Sequence, residues 1–236
     1  MKLEGRSIIV TGASRGIGAA TAKSLARCGA RVTLVARSGA SIQAVAAEIR
    51  EAGGQALAVR CDVGQEHDVI HVMRETVRAF GSVGGLINNA GELGARVPFD
   101  AYPVDDLRRC LEVNAVGTFL MTRAALPHLR GGRDAFVINI SSWLGRHGMP
   151  DCAGYIAGKF ALEGLTQALA SEVASAPLAV VSVGPGMVAT DMLAGFLMKS
   201  DLEGYRSPEE AAAALVALAE GLTPHDNGAV LDLFSE

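Results

Sequence analysis

The chain has 236 residues, half of them apolar and 19% charged, which excludes a disordered chain and predicts one globular domain, 1–236, with a substantial core. A formal net charge of −4, with no run of basic residues, gives no electrostatic footing for nucleic acid. The longest unbroken apolar stretch, residues 211–219, is far short of a membrane span. Lys2 leads into charged residues rather than an apolar leader, and none of the four cysteines is spaced as a metal ligand, which predicts a cytoplasmic, reducing setting without a metal site. Cys28, Cys61 and Cys110 read as small core residues, and Cys152, near Tyr155, lacks the neighbouring base a nucleophile needs.

Residues 7–10 form a short apolar strand that runs into Thr11-Gly12-Ala13-Ser14-Arg15-Gly16-Ile17-Gly18 and then an Ala/Leu-rich helix. Strand, glycine-rich turn and helix make a phosphate cradle: the glycines let backbone approach a pyrophosphate, and the helix start offers free N–H groups and a positive dipole end. The spacing Gly-x-x-x-Gly-x-Gly differs from the usual Gly-x-Gly-x-x-Gly. A second strand, 31–36, ends at Ala36 and Arg37. An acidic residue that would read a ribose 2′-hydroxyl is missing at 36, whereas Arg15 and Arg37 offer two cations where a 2′-phosphate would lie. Each such contact is worth about 1.5–3 kcal/mol, so two predict a preference for NADP(H) of roughly a hundredfold. Solvated surface arginines are the alternative.

Helix 41–52, the break Gly53-Gly54 and strand 56–60 follow, then Cys61-Asp62-Val63. Asp62 can accept a hydrogen bond from an adenine amino group, cap the helix 65–80, or both. Strand 84–87 leads to Asn88-Asn89-Ala90-Gly91, whose small residues allow a ribose to pack on the backbone. A helix over 107–129 contains Asn114, a residue disfavoured inside helices unless its side chain has a task. Strand 135–140 runs into Ser141 and Ser142, at the strand end where open α/β sheets bind ligands. In the loop 143–154, Trp143, Met149 and Pro150 either line a substrate mouth or cover core. In a helix over 155–174, Tyr155 and Lys159 share one face. An ammonium within about 4–6 Å favours a phenolate and lowers the phenol pKa from its ordinary value of about 10. Strand 178–183 continues into Gly184-Pro185-Gly186-Met187-Val188-Ala189-Thr190. Residues 193–206 are either a mobile lid or a packed surface turn. Ser207-Pro208-Glu209-Glu210 opens a helix to about 221, and 228–234 is a final strand. Seven strands alternating with helices predict a doubly wound parallel sheet flanked by helices.

In motif order and spacing the chain resembles the short-chain dehydrogenase/reductase family, in its short-subunit branch with carbonyl and ketoacyl reductases. The resemblance rests on residues 11–18, Asp62-Val63, residues 88–91, Asn114, Ser142, Tyr155 with Lys159, and Pro185-Gly186 with Thr190. It implies a single-domain Rossmann fold and a catalytic tetrad. Tyr155 would be acid/base on the substrate oxygen and Ser142 would orient that oxygen. Lys159 would bond the nicotinamide ribose and lower the Tyr155 pKa, and Asn114 would hold a water in a proton relay. It further implies cofactor contacts from Gly12, Ser14, Arg15, Gly16, Ile17, Gly18, Arg37, Asp62, Val63, Asn89, Ala90, Gly91, Tyr155, Lys159, Pro185, Gly186, Val188 and Thr190. The expected activity is NADP(H)-dependent hydride transfer to or from a small carbonyl or alcohol, in a homodimer or homotetramer. The tail after Gly221 lacks the branch's glycine-rich ending, which bears on assembly, and the stretch after Met192 is short. A catalytically silent nicotinamide-binding regulator or scaffold is the alternative from another class. Epimerisation or dehydration would call for a longer C-terminal substrate region.

Overall fold

The computed structural model describes residues 3–132, 134–199 and 201–234, so Lys2 lies outside the described residues. Its strands are β1 (Ser7–Thr11), β2 (Arg31–Ala36), β3 (Gln55–Arg60), β4 (Gly85–Asn88), β5 (Ala135–Ile140), β6 (Leu178–Gly184) and β7 (Val230–Asp232). All pair in parallel, in the order β3-β2-β1-β4-β5-β6-β7. Strands β1, β5 and β6 are buried along their whole length. A strand covered on both faces has no solvent side, so it reads as a continuous apolar run.

The helices are α1 (Gly16–Arg27), α2 (Gly39–Glu51), α3 (Glu66–Phe80), α4 (Val104–Leu111), α5 (Thr118–Leu129), α6 (Ala153–Glu172), α7 (Asp191–Leu197) and α8 (Pro208–Gly221). One core joins Ile8 and Val10 to Leu25, Ile42 and Leu215, from α1, α2 and α8. The other joins Ile9 and Leu86 to Val72 of α3 and Met121 of α5. Successive β1 side chains thus feed opposite cores, as the period of two requires. This is the doubly wound, seven-stranded α/β fold expected from the sequence.

The helix expected over 107–129 is instead two helices joined by a π-turn, Glu112–Gly117. Gly117 is pressed against Val63, where a Cβ would meet Cγ2 at 2.6 Å. Of residues 193–206, 193–197 belong to α7 and the described residues after it form no further helix, and Ser207 opens α8 with a capping box to Glu210. β7 is shorter than expected, and Arg146 ties it down by donating to Asp232 at 2.7 Å.

Candidate active site

The strand order reverses between β1 and β4, and a cleft of about 460 Å³ opens beyond the carboxyl ends of these strands. Gly12, Ser14, Arg15, Gly16 and Ile17 form its floor. Gly12 and Gly16 both have positive φ, at 65° and 55°. A Cβ on Gly12 would lie 2.8 Å from the Asn89 amide nitrogen, and one on Gly18 would lie 2.4 Å from the Gly12 carbonyl oxygen. No side chain caps the start of α1, and its first turn holds no acid. The start of α1 therefore carries no side chain that competes for its first N–H groups, which fits an anionic ligand such as a dinucleotide pyrophosphate.

Asn89 supports the cradle with its side chain, which donates to the Thr11 and Gly12 carbonyls at 2.9 and 3.3 Å. The Thr11 hydroxyl in turn accepts from the Asn89 and Ala90 amides. The cleft wall continues through Ala90 and Gly91. Asp62 and Val63 line the cleft beyond β3. Asp62 does not cap α3, whose N-cap is Gln65. Its carboxylate accepts from the Gly64 amide at 3.1 Å and pairs with Arg109 at 3.0 Å, and Arg109 itself lines the cleft. Arg109 sits in a helix and carried no motif that marked it.

Arg15 and Arg37 both line the cleft. Each faces an acid: Arg15 pairs with Asp191 at 3.3 Å, both side chains exposed, and the exposed Arg37 pairs with the partly buried Glu92 at 3.5 Å. A pair open to solvent, as Arg15–Asp191 is, holds for about 0–1 kcal/mol, less than a charged contact to phosphate offers, and Arg37 meets Glu92 only at the limit of hydrogen-bond range. Both cations thus remain available to a 2′-phosphate. On the opposite rim, Pro185 and Thr190 line the cleft, with Ala189, Asp191 and Met192. Thr190 caps α7 by accepting from the Leu193 amide at 3.2 Å, and its methyl lies 3.2 Å from where a Gly16 Cβ would stand. Gly186 turns the chain at φ 71°. Val188 is buried, in a parallel bridge to Arg206, and lies off the cleft wall.

Tyr155 and Lys159 come from the first two turns of α6 and line the cleft. Both are buried, at 8% and 3% exposure. The Lys159 ammonium donates to the Ile140 carbonyl at 2.6 Å and sits 5.6 Å from the centre of the Tyr155 ring. Burial lowers Lys159 to about 8, with the Glu163 carboxylate pulling it back up. Burial also raises Tyr155 to about 12, against a smaller opposite pull from its hydrogen bond with Ser142. The phenol is therefore raised where the Tyr-Lys spacing predicted a lowered one: desolvation of the phenolate outweighs a lysine that points its charge at a backbone carbonyl.

Ser142, half-buried, accepts from the Leu144 amide at 3.2 Å and so is fixed beside Tyr155. Asn114 is fully buried in the π-turn. Its amide accepts from the Glu92 N–H at 2.8 Å and donates to the Glu92 carbonyl at 2.9 Å, so the side chain clamps the loop after β4. These hydrogen bonds give the asparagine a structural task inside a helical segment. Glu163 escaped the sequence reading, although it lies four residues beyond Lys159 on the same face. It accepts from the Ser141 hydroxyl at 2.5 Å and the Ser182 hydroxyl at 2.6 Å. Cys152 is buried, its thiol raised by burial, which leaves it a poor nucleophile. Trp143 and Met149 are exposed beside this wall, Trp143 stacked on His147.

A strand-end cleft with a glycine cradle on one side and a buried Tyr-Lys pair on the other defines a nucleotide-dependent α/β enzyme class. The family model for short chain dehydrogenases matches residues 6–200. A 3-oxoacyl-[acyl-carrier-protein] reductase of Synechocystis sp. is 36% identical over 217 residues, covering 89% of this chain and 87% of its own. A short chain dehydrogenase from Burkholderia cenocepacia, solved in complex with NADP, superposes with a TM-score of 0.87 at 32% identity, over 98% of this chain and 97% of its own. A 3-ketoacyl-(acyl-carrier-protein) reductase from Brucella melitensis, complexed with NADH, gives 0.89 at 32%, with the same two coverages. The chain belongs to the short-chain dehydrogenase family and is an oxidoreductase that uses a nicotinamide cofactor.

Proposed function

We propose that the protein is an NADP(H)-dependent oxidoreductase acting on a carbonyl or secondary alcohol, with Tyr155 as its acid/base. The observation that carries this reading is the buried Tyr155–Lys159 pair in the wall of a cleft whose floor is the glycine cradle. When bound, the reduced nicotinamide supplies the hydride. Every other part of the reaction falls to the chain's own side chains. Tyr155, a phenol raised to about 12, is fully protonated at neutral pH. It donates its proton to the substrate oxygen as that oxygen gains negative charge, and takes one back in the oxidative direction. Ser142 hydrogen-bonds the same oxygen and orients it. Lys159, cationic below about 8, holds the nicotinamide ribose and stabilises the phenolate left behind. Asn114 keeps the loop after β4 in place and so sets that side of the cleft.

Arg15 and Arg37 favour NADP(H): solved relatives contain either NADP or NADH, and no acid stands at Ala36 to read a ribose hydroxyl. The substrate is a small molecule, and we place the enzyme in the cytoplasm. The exposed apolar side chains Val116, Phe119 and Phe160, on the π-turn, α5 and α6, suit a homodimer built on these helices. The test is Tyr155→Phe. A positioned acid/base contributes about 10²–10⁴-fold, so kcat for ketone reduction falls by at least a hundredfold while NADPH affinity stays within about twofold. Near-normal turnover would overturn the assignment, and cofactor binding by the wild type without turnover of any carbonyl would favour a silent regulator or scaffold.

A further inference from the structure

Beside Tyr155, on the side away from the cradle, the loop after β4 folds under α7. Leu93 packs there with Leu144, Cys152, Tyr155, Ile156 and Phe196, and a Cβ on Gly195 of α7 would lie 3.5 Å from Leu93. The Val97 amide donates to the Asp151 carbonyl at 3.1 Å, which pins the loop against the start of α6. Arg96 enters this apolar cluster. Its guanidinium carbon lies 4.5 Å over the Phe196 ring, and its charge reaches the Cys152 thiol. Two of its nitrogens, Nε and Nη1, are sealed from solvent without a hydrogen-bond partner.

Among the described residues no carboxylate pairs with Arg96. Glu92 is engaged by Arg37, Asp191 by Arg15, and Asp232 by Arg146. Arg96 is half-buried, and its two sealed, unmet donors are costly, which stacking on one aromatic face offsets only in part. Arginine is also the side chain best suited to a carboxylate. Phe196, the ring under Arg96, packs against the same small cluster that holds Cys152 and Tyr155, so the unmet charge stands on the far side of one ring from the wall that carries the proposed proton donor.

We infer that Arg96 is an anchor for a carboxylate on the substrate, making the preferred substrates short oxo acids or hydroxy acids whose apolar body packs on Leu93, Leu144 and Phe196. This rests on the oxidoreductase reading for its chemistry, but not for its test. Calorimetry on the NADP⁺-saturated protein compares cyclohexanecarboxylate with the neutral, equally shaped cyclohexanecarboxamide. The carboxylate binds at least tenfold tighter to the wild type. In Arg96→Met the two bind alike, and Arg96→Lys, which keeps the charge but not the planar fork, retains part of the preference. Equal binding of the two to the wild type, binding of neither, or a preference that survives in Arg96→Met overturns the inference. The comparison within the wild type needs no variant to fold. Absence of turnover on every ketone and oxo acid would count against the oxidoreductase reading and leaves the binding result as it stands.

Discussion

The phenol of Tyr155 and the ammonium of Lys159 share one buried wall, and burial acts on them in opposite senses: it holds the proton on the first and loosens it from the second. Lys159, lowered from 10.5 to about 8, is cationic below that pH and neutral above it. The reading of Lys159 as ribose ligand and phenolate partner needs the cation. With carbonyl saturating, kcat/KM for NADPH reports ionisations of the free enzyme, so it is flat below about pH 8 and drops tenfold per unit above it. Tyr155, at about 12, keeps its proton throughout this window. Glu163 raises the Lys159 pKa, so Glu163→Gln moves the alkaline limb to lower pH. A steady-state pH series on the two proteins measures it, and a profile flat to pH 10 in the wild type would contradict the account. Glu163 acts here as a positioning residue, through Lys159 and the Ser141 and Ser182 hydroxyls.

At the scale of elements, α6 meets the π-turn through glycine. A Cβ on Gly158, between Tyr155 and Lys159, would stand 2.8 Å from the Asn114 Cβ, and one on Gly154 would stand 2.4 Å from the Tyr102 hydroxyl oxygen. The two glycines are one turn apart on the face that α4 and the π-turn approach. Overpacking such a contact costs about 1–3 kcal/mol, so Gly158→Ala lowers unfolding stability by that amount and displaces Asn114 from its clamp on Glu92. Urea unfolding measures the loss, and a variant as stable as wild type would show that the contact is loose. The motif Gly154-Tyr155-Ile156-Ala157-Gly158-Lys159 thus carries two messages. Its tyrosine and lysine were legible because four-residue spacing on a helix is a chemical pattern. Its glycines were not, because their task depends on which element packs against them. The π-turn was hidden for a related reason: one extra residue per turn over six residues leaves hydrophobic periodicity almost unchanged.

Across the whole molecule, the parallel sheet was legible because strands covered on both faces must be apolar throughout, and the cradle because a phosphate site needs glycine at set points. The alternation of strands with helices and the capped start of α8 followed from those signals; the order of the strands in the sheet and the start of α7 did not. The charge map did not. Arg37 facing Glu92, Asp62 facing Arg109 and the unmet guanidinium of Arg96 arise from segments far apart in the chain, brought together by the loops at one end of the sheet. Within that map Arg15 and Arg37 are two exposed cations at the cradle rim, each held by a single carboxylate at 3.3 and 3.5 Å. The measurement that tests the account most directly is a fluorescence titration of the protein with NADPH and with NADH, repeated on Arg15→Ala/Arg37→Ala. The account predicts NADPH binding at least tenfold tighter than NADH in the wild type, with the preference lost in the double variant. Equal affinities, or a preference for NADH, would contradict it.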